Sequence, residues 1–215
     1  MVIDIERVDR SAVRRRRAGM VCLGAGLLGA ASGVGLALLP SIVDQERFSY
    51  PLGTSSFVGV QIWFVVQHLG LIVGLLALAA TGASGSGQAA RAGQATALAG
   101  MGLLTVTELV AVLAAQDSVA TPLVVMLGAS YGISTVLVGV GLVLVGWAVL
   151  RQESWLGWRR LVPLALGCYV FVPMIPALAG PFVVARLAIA GWMVLFALLG
   201  WVLVEHPESE GSARG

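Results

Sequence analysis

Six long apolar segments account for most of this sequence. They cover residues 18–39, 57–80, 95–115, 123–150, 161–180 and 182–204. Each can cross the ~30 Å hydrocarbon core of a bilayer, which takes about 20 helical residues. Apolar residues make up 58% of the chain and charged residues only 11%, whereas soluble domains carry about 25% charged residues. Lipid must therefore cover the apolar surface, and we expect an all-α integral membrane protein, a six-helix bundle without a separate soluble domain.

The arginines are distributed unevenly between the two sides of this predicted bundle. One side holds Arg7, Arg10, Arg14, Arg15, Arg16, Arg17, Arg91, Arg151, Arg159, Arg160 and Arg214. The other side has only Arg47, with Arg186 just inside the sixth segment. Because cytoplasmic loops carry the excess of positive charge, we expect a cell-membrane protein with both termini in the cytoplasm.

This orientation divides the chain into three parts. They are a basic cytoplasmic segment 1–17, a membrane domain 18–204 and a disordered acidic tail 205–215. A cleaved signal peptide is the alternative interpretation of the first 39 residues, but their apolar run is longer than the usual 7–15 residues. Residues 14–17 are four consecutive arginines, and we expect Arg14, Arg15, Arg16 and Arg17 to contact anionic lipid headgroups as well.

The composition excludes several kinds of site. All 13 basic residues are arginine, so chemistry that needs a lysine, such as a Schiff base or a P-loop, is absent. Cys22 and Cys168 both lie in apolar segments, and no His, Asp or Glu pair has the spacing of metal ligands. A formal net charge of +2 does not indicate nucleic-acid binding. We expect neither a cofactor nor a metal ion.

Ionisable residues inside the predicted spans are the main candidates for a functional site, because each costs about 2.5–3.5 kcal/mol at the bilayer centre. They are His68 in the second segment, Glu108 in the third and Arg186 in the sixth. At about 1.5 Å per residue they lie roughly 17, 11 and 6 Å from the outer helix ends. Gln61, Thr105 and Tyr131 lie nearby in depth. We expect an outward-facing polar cluster of His68, Glu108, Arg186, Gln61, Thr105 and Tyr131.

Two functions are compatible with this cluster. The cluster can hold helices together in a non-enzymatic accessory or partner-binding membrane component, which is the interpretation the sequence favours. Alternatively, it forms the pocket of a small permease or proton-coupled carrier, with Glu108 as the proton site, His68 as a relay and Arg186 as the counter-charge.

Two further features are weaker evidence for a function. Residues 128–132, Gly-Ala-Ser-Tyr-Gly, match the Gly-x-Ser-x-Gly pattern of serine hydrolases, which needs a strand–turn–helix context. On the fourth of six predicted helices, the motif resembles that of rhomboid proteases. That resemblance implies a general-base histidine on the sixth helix, which has none. A haem with two histidine ligands would need a second chain, because His68 is the only histidine within the predicted spans.

Small residues form a stripe along the first predicted helix. Ala25, Gly29, Gly33 and Ala37 are four residues apart, so they share one face. Such faces allow close helix contacts in membranes. The stripe predicts either internal packing or, through Gly29 and Gly33, contact with a partner protein or a second copy. Pro173 and Pro176 predict a break near the outer end of the fifth helix.

Overall fold

The structure, a computed structural model, describes the backbone of residues 2–205 and the side chains of residues 11–205. Within that part of the chain the regular elements are all helices, apart from one isolated bridge between Arg47 and Ser118. Six helices are long and apolar enough to cross a membrane, which confirms the all-helical class and the number of predicted spans. They are α1 (Val2–Leu38), α2 (Thr54–Ala80), α3 (Gln88–Ala111), α4 (Pro122–Gln152), α5 (Gly157–Leu178) and α6 (Phe182–Glu205).

The helix boundaries differ most from the predicted ones at the starts of α1, α3 and α5. Helix α1 runs unbroken from Val2, so residues 2–17 of the basic segment continue directly into the first span. Helix α3 begins at Gln88 rather than near residue 95, because the glycine-rich connection ends at Gly87 and is followed by residues that favour helix. Glu205 is the last residue of α6, and residues 206–215 of the predicted tail lie outside the described residues.

The helices pack in a closed ring in the order α1, α2, α3, α4, α5, α6 and back to α1. Glycines allow the backbones of neighbouring helices to approach closely, as is common in membrane bundles. A methyl group added at Gly26 would collide with the backbone of Ala197 on α6, and one at Gly100 would collide with that of Val138 on α4. This close packing fixes the ring that surrounds the candidate site.

Helix α5 is the irregular member of the ring. It consists of a 3₁₀ segment (Gly157–Leu161), an α-helical segment (Val162–Tyr169), a π-helical turn (Val170–Met174) and a final short α-helical turn (Ile175–Leu178). Pro173 lies in the π-helical turn, where its missing N–H breaks the regular hydrogen-bond ladder. The predicted break in this helix is thereby confirmed.

The two ends of the bundle differ in charge. At the end that carries most of the arginines, here called the basic end, Arg159 pairs with Glu205 at 3.0 Å and Arg151 stacks on Trp147. Trp147, Trp158 and Trp201 are exposed there, whereas Trp155 is buried, so it does not contribute to a surface aromatic belt. The other end, here called the distal end, holds the loops 39–53, 115–121 and 179–181.

Candidate functional site: a cavity inside the helix ring

A cavity of about 460 Å³ lies inside the ring, in the half of the bundle toward the distal end. All six helices and the loop residue Phe48 contribute to its lining. The polar and charged residues that line it are Gln61, Gln67, His68, Glu108, Tyr131, Thr135 and Arg186. The volume falls within the range of about 300–1,000 Å³ that is typical of small-molecule sites.

Three of the predicted site residues form a hydrogen-bonded chain across three helices. The Gln61 amide on α2 donates to the Tyr131 hydroxyl on α4 at 3.1 Å, and that hydroxyl donates to Glu108 Oε2 on α3 at 2.7 Å. A tyrosine has a single hydroxyl proton; here the proton goes to the carboxyl group while the oxygen accepts from the amide. Glu108 is only 6% exposed. Its carboxyl group lines the cavity and accepts the hydrogen bond from Tyr131.

Arg186 lines the same cavity, but it forms no direct ion pair with Glu108. Within the described residues no carboxylate oxygen lies within 4.0 Å of its guanidinium group. The guanidinium instead lies over the ring of Phe182, 4.9 Å from the ring centre. Arg186 and Glu108 therefore line one cavity without direct contact between the guanidinium and carboxyl groups.

Two neighbouring side chains on α2 lack partners for buried polar atoms. Gln67 is 4% exposed; its amide nitrogen donates to the Met193 sulfur at 3.0 Å, but its carbonyl oxygen has no partner in the described part of the chain. His68 is 5% exposed, and its Nδ1 is likewise unpaired among the described residues. Both residues line the cavity, which is therefore where partners for these atoms can lie.

His68 is among the predicted site residues, but Gln67 is not. An amide within an apolar span was a usable signal. However, consecutive helical residues point about 100° apart, so the position of His68 does not by itself predict that Gln67 faces the same side. In the structure the cavity is wide enough for both residues to line it.

The prediction that Thr105 belongs to the polar cluster is wrong. It is buried but does not line the cavity, and its hydroxyl donates to the carbonyl oxygen of Met101 on its own helix at 2.8 Å. This local bond satisfies the hydroxyl without a neighbouring helix. The Ser130 hydroxyl of the Gly-x-Ser-x-Gly motif is hydrogen-bonded to the Thr107 hydroxyl at 2.6 Å. Ser130 lies inside the regular helix α4.

Gly29 and Gly33 are buried against other helices of the same chain. A methyl group at Gly29 would collide with the Gln67 amide, and one at Gly33 would lie 3.0 Å from Ala190 Cβ on α6. These contacts favour internal packing over a contact between copies, because both positions already have neighbours within one protomer.

The described residues contain no group of three or more His, Cys, Asp or Glu side chains that could hold a metal ion. The sequence matches no protein-family model, and comparisons with curated proteins and with solved structures find no relative. The cavity itself is therefore the basis for assigning a function.

Proposed function

We propose that this chain is a non-enzymatic membrane protein that binds a small molecule in the cavity, with Glu108 and Arg186 as its charged contacts. The observation that carries the proposal is the pair of unpartnered buried atoms, Gln67 Oε1 and His68 Nδ1, on the wall of a cavity of about 460 Å³. A buried polar atom without a hydrogen bond costs about 1–3 kcal/mol. A bound molecule with matching polar groups would remove that cost.

A purely structural role explains only part of the site. The Gln61–Tyr131–Glu108 chain links α2, α4 and α3, as we would expect in an accessory or partner-binding component whose polar residues set helix packing. Packing does not explain why Gln67, His68 and Arg186 line a common cavity. Ligand binding accounts for both groups of residues.

Native mass spectrometry of protein extracted from the producing cell tests this proposal. We expect the wild-type chain to carry a bound mass, and Gln67→Met, which keeps the side-chain length and removes the amide, to lose it. Gln94→Met is the matched control, because Gln94 bonds to Ser84 near the basic end and does not line the cavity. A bare wild-type chain, from both mild detergent and lipid nanodiscs, would contradict the proposal.

A small permease or proton-coupled carrier is the second candidate. It is favoured by the presence of two groups that can exchange protons, Glu108 and His68, in the cavity that also holds Arg186. Glu108→Gln keeps the shape of the side chain and removes proton exchange. If the protein is a carrier, we expect this variant still to bind the molecule. Uptake of the molecule into proteoliposomes, driven by a pH gradient, should be lost. Unchanged uptake would eliminate this candidate.

We also propose an orientation in the membrane: the basic end faces the cytoplasm, and both termini lie on that side. The arginine distribution supports this assignment through the positive-inside rule. Arg14, Arg16 and Arg17 are exposed on α1, which suits contacts with anionic lipid headgroups. The cavity would then lie in the outer half of the membrane.

A further inference from the structure

The rim of the cavity is formed by α4 and the end of α5. Among the residues that line the cavity, only Gly128, Gly132 and Leu178 are exposed. A side chain added at Gly128 or Gly132 would meet no atom within 4 Å. Because Gly128, Gly132 and Leu178 line the cavity and are also exposed, the cavity reaches the surface of the bundle between α4 and the last turn of α5. This opening is here called the lateral window.

The lateral window exists because α4 and α5 are in close contact over only part of their length. Toward the basic end they touch at Gly146, where an added methyl group would collide with the Leu164 backbone, and at Gly139, where it would lie 2.9 Å from Val170. Beyond this point α5 enters its π-helical turn, and its last segment packs against α6. The wall is thus sealed near the basic end and open near the distal end.

The distal end itself is covered by the loop between α1 and α2. The Phe48 backbone N–H donates to the Asp117 carbonyl oxygen at 3.0 Å, and the Val119 N–H donates to the Glu46 carbonyl oxygen at 2.8 Å. Phe48 lines the cavity, and Tyr50 packs on Phe182 with 5.2 Å between ring centres. Two connecting loops are therefore joined over the cavity on the side that faces water.

The lateral window lies at the depth of the hydrocarbon core. Gly128 and Gly132 follow the first residue of α4, Pro122, by about 9 and 15 Å at 1.5 Å per residue. A gap that far along a membrane-spanning helix opens to the hydrocarbon core of the bilayer, which is about 30 Å thick, rather than to water.

We propose that the ligand reaches the cavity from the bilayer through the lateral window, and that it is an amphiphile with a zwitterionic headgroup. This inference rests on the proposed ligand-binding function. The charges assign the headgroup class: Arg186 offers a cation, Glu108 offers an anion, and neither satisfies the other by direct contact. An anionic group beside Arg186 and a cationic group toward Glu108 would complement both. The apolar remainder of the lining suits an alkyl chain.

Photolabelling in proteoliposomes tests the access route. The probes are a phosphocholine with a diazirine in its alkyl chain and the water-soluble zwitterion photo-methionine. We expect the phosphocholine, and not photo-methionine, to label Trp192 and Met193, which line the cavity and are almost fully buried. Gly128→Leu fills the lateral window, and interior labelling by the phosphocholine should be lost.

Gly59→Leu is the matched control, because Gly59 is exposed near the distal end of α2, has open space around it and does not line the cavity. It should leave interior labelling unchanged. Met126, which is 69% exposed on α4, reports lipid-side labelling in every variant. A neutral maltoside probe with the same chain should label the interior less than the phosphocholine, and equal labelling would overturn the headgroup assignment.

The outcomes separate this inference from the function on which it rests. Interior labelling by photo-methionine alone would retain the binding cavity and overturn access from the bilayer. Interior labelling by the phosphocholine that persists in Gly128→Leu would overturn the lateral window. Labelling of Met126 without labelling of Trp192 or Met193 by either probe would overturn both the inference and the binding cavity.

Discussion

At the scale of single residues, Tyr131 connects the polar groups of three helices. Its hydroxyl accepts from Gln61 and donates to Glu108, so Tyr131→Phe removes two hydrogen bonds and leaves a buried carboxyl group without this donor. We expect this change to lower the free energy of unfolding by about 1–3 kcal/mol. In a double-mutant cycle with Glu108→Met, which removes the acceptor, the coupling should be about 0.6 kcal/mol and at most about 1.7 kcal/mol, the average and the maximum for hydrogen bonds between membrane helices. Unfolding in lipid bicelles measures both quantities.

Tyr169→Phe provides the control for this cycle. Its hydroxyl donates to the Ala188 carbonyl oxygen and does not contact Glu108. Its effect should add to that of Glu108→Met without coupling, because the two residues share no hydrogen-bond partner. Coupling as large as that of Tyr131 would show that the hydrogen-bonded chain is not a specific unit.

A substitution at Gln67 should affect stability and ligand binding in different ways. Gln67→Met replaces an amide with an unpartnered oxygen by an apolar side chain of similar length. We expect the ligand-free variant to be as stable as the wild type or up to about 2 kcal/mol more stable, because removing an unsatisfied buried group offsets the lost contact with Met193. The matched variant Gln94→Met loses a satisfied hydrogen bond to Ser84 and should not be stabilised. Thermal unfolding after ligand removal measures the difference, and a strongly destabilised Gln67→Met would contradict the site geometry.

At the scale of helices, the glycines of α1 distinguish two kinds of position. Gly26 faces the Ala197 backbone of α6, whereas Gly24 has no atom near an added methyl group. We expect Gly26→Ala to destabilise the protein by about 1–3 kcal/mol through overpacking. Gly24→Ala, two residues away on the same helix, should be neutral or slightly stabilising, because alanine favours helix. Equal effects in a thermal unfolding assay would mean that α1 and α6 do not pack at this register.

The sequence predicts helices more reliably than their contacts. Six spans follow from apolar length, and the break in α5 follows from Pro173, because both depend on residues that are local in sequence. The π-helical turn and the lateral window depend on which helix lies beside α4. The sequence alone does not determine that neighbour, so Gly128 and Gly132 were noted as a motif and not as the edge of a cavity.

The same limit applies to the polar cluster. Depth along the helices was enough to predict which residues share the cavity, because ionisable groups in a membrane bundle face its interior. These residues are Gln61, Tyr131, Glu108, His68 and Arg186. Depth alone was not enough to exclude Thr105, whose hydroxyl is satisfied within its own helix. It also did not reveal that Arg186 and Glu108 lie without a direct ion pair, since that depends on side-chain packing around Phe182.

At the scale of the whole molecule, the orientation of the bundle decides which leaflet the lateral window faces. Of the two native cysteines, Cys22 is buried and Cys168 is exposed, so a Cys168→Ala background leaves no exposed thiol among the described residues. We expect Asp44→Cys, at the distal end, to react with a membrane-impermeant maleimide in intact cells. Ser86→Cys, at the basic end, should react only after the membrane is opened. Both sites are exposed in connecting loops, so their difference reports sidedness and not burial. The reverse pattern would place the basic end outside and would move the lateral window, with Glu108 and Arg186, to the cytoplasmic leaflet.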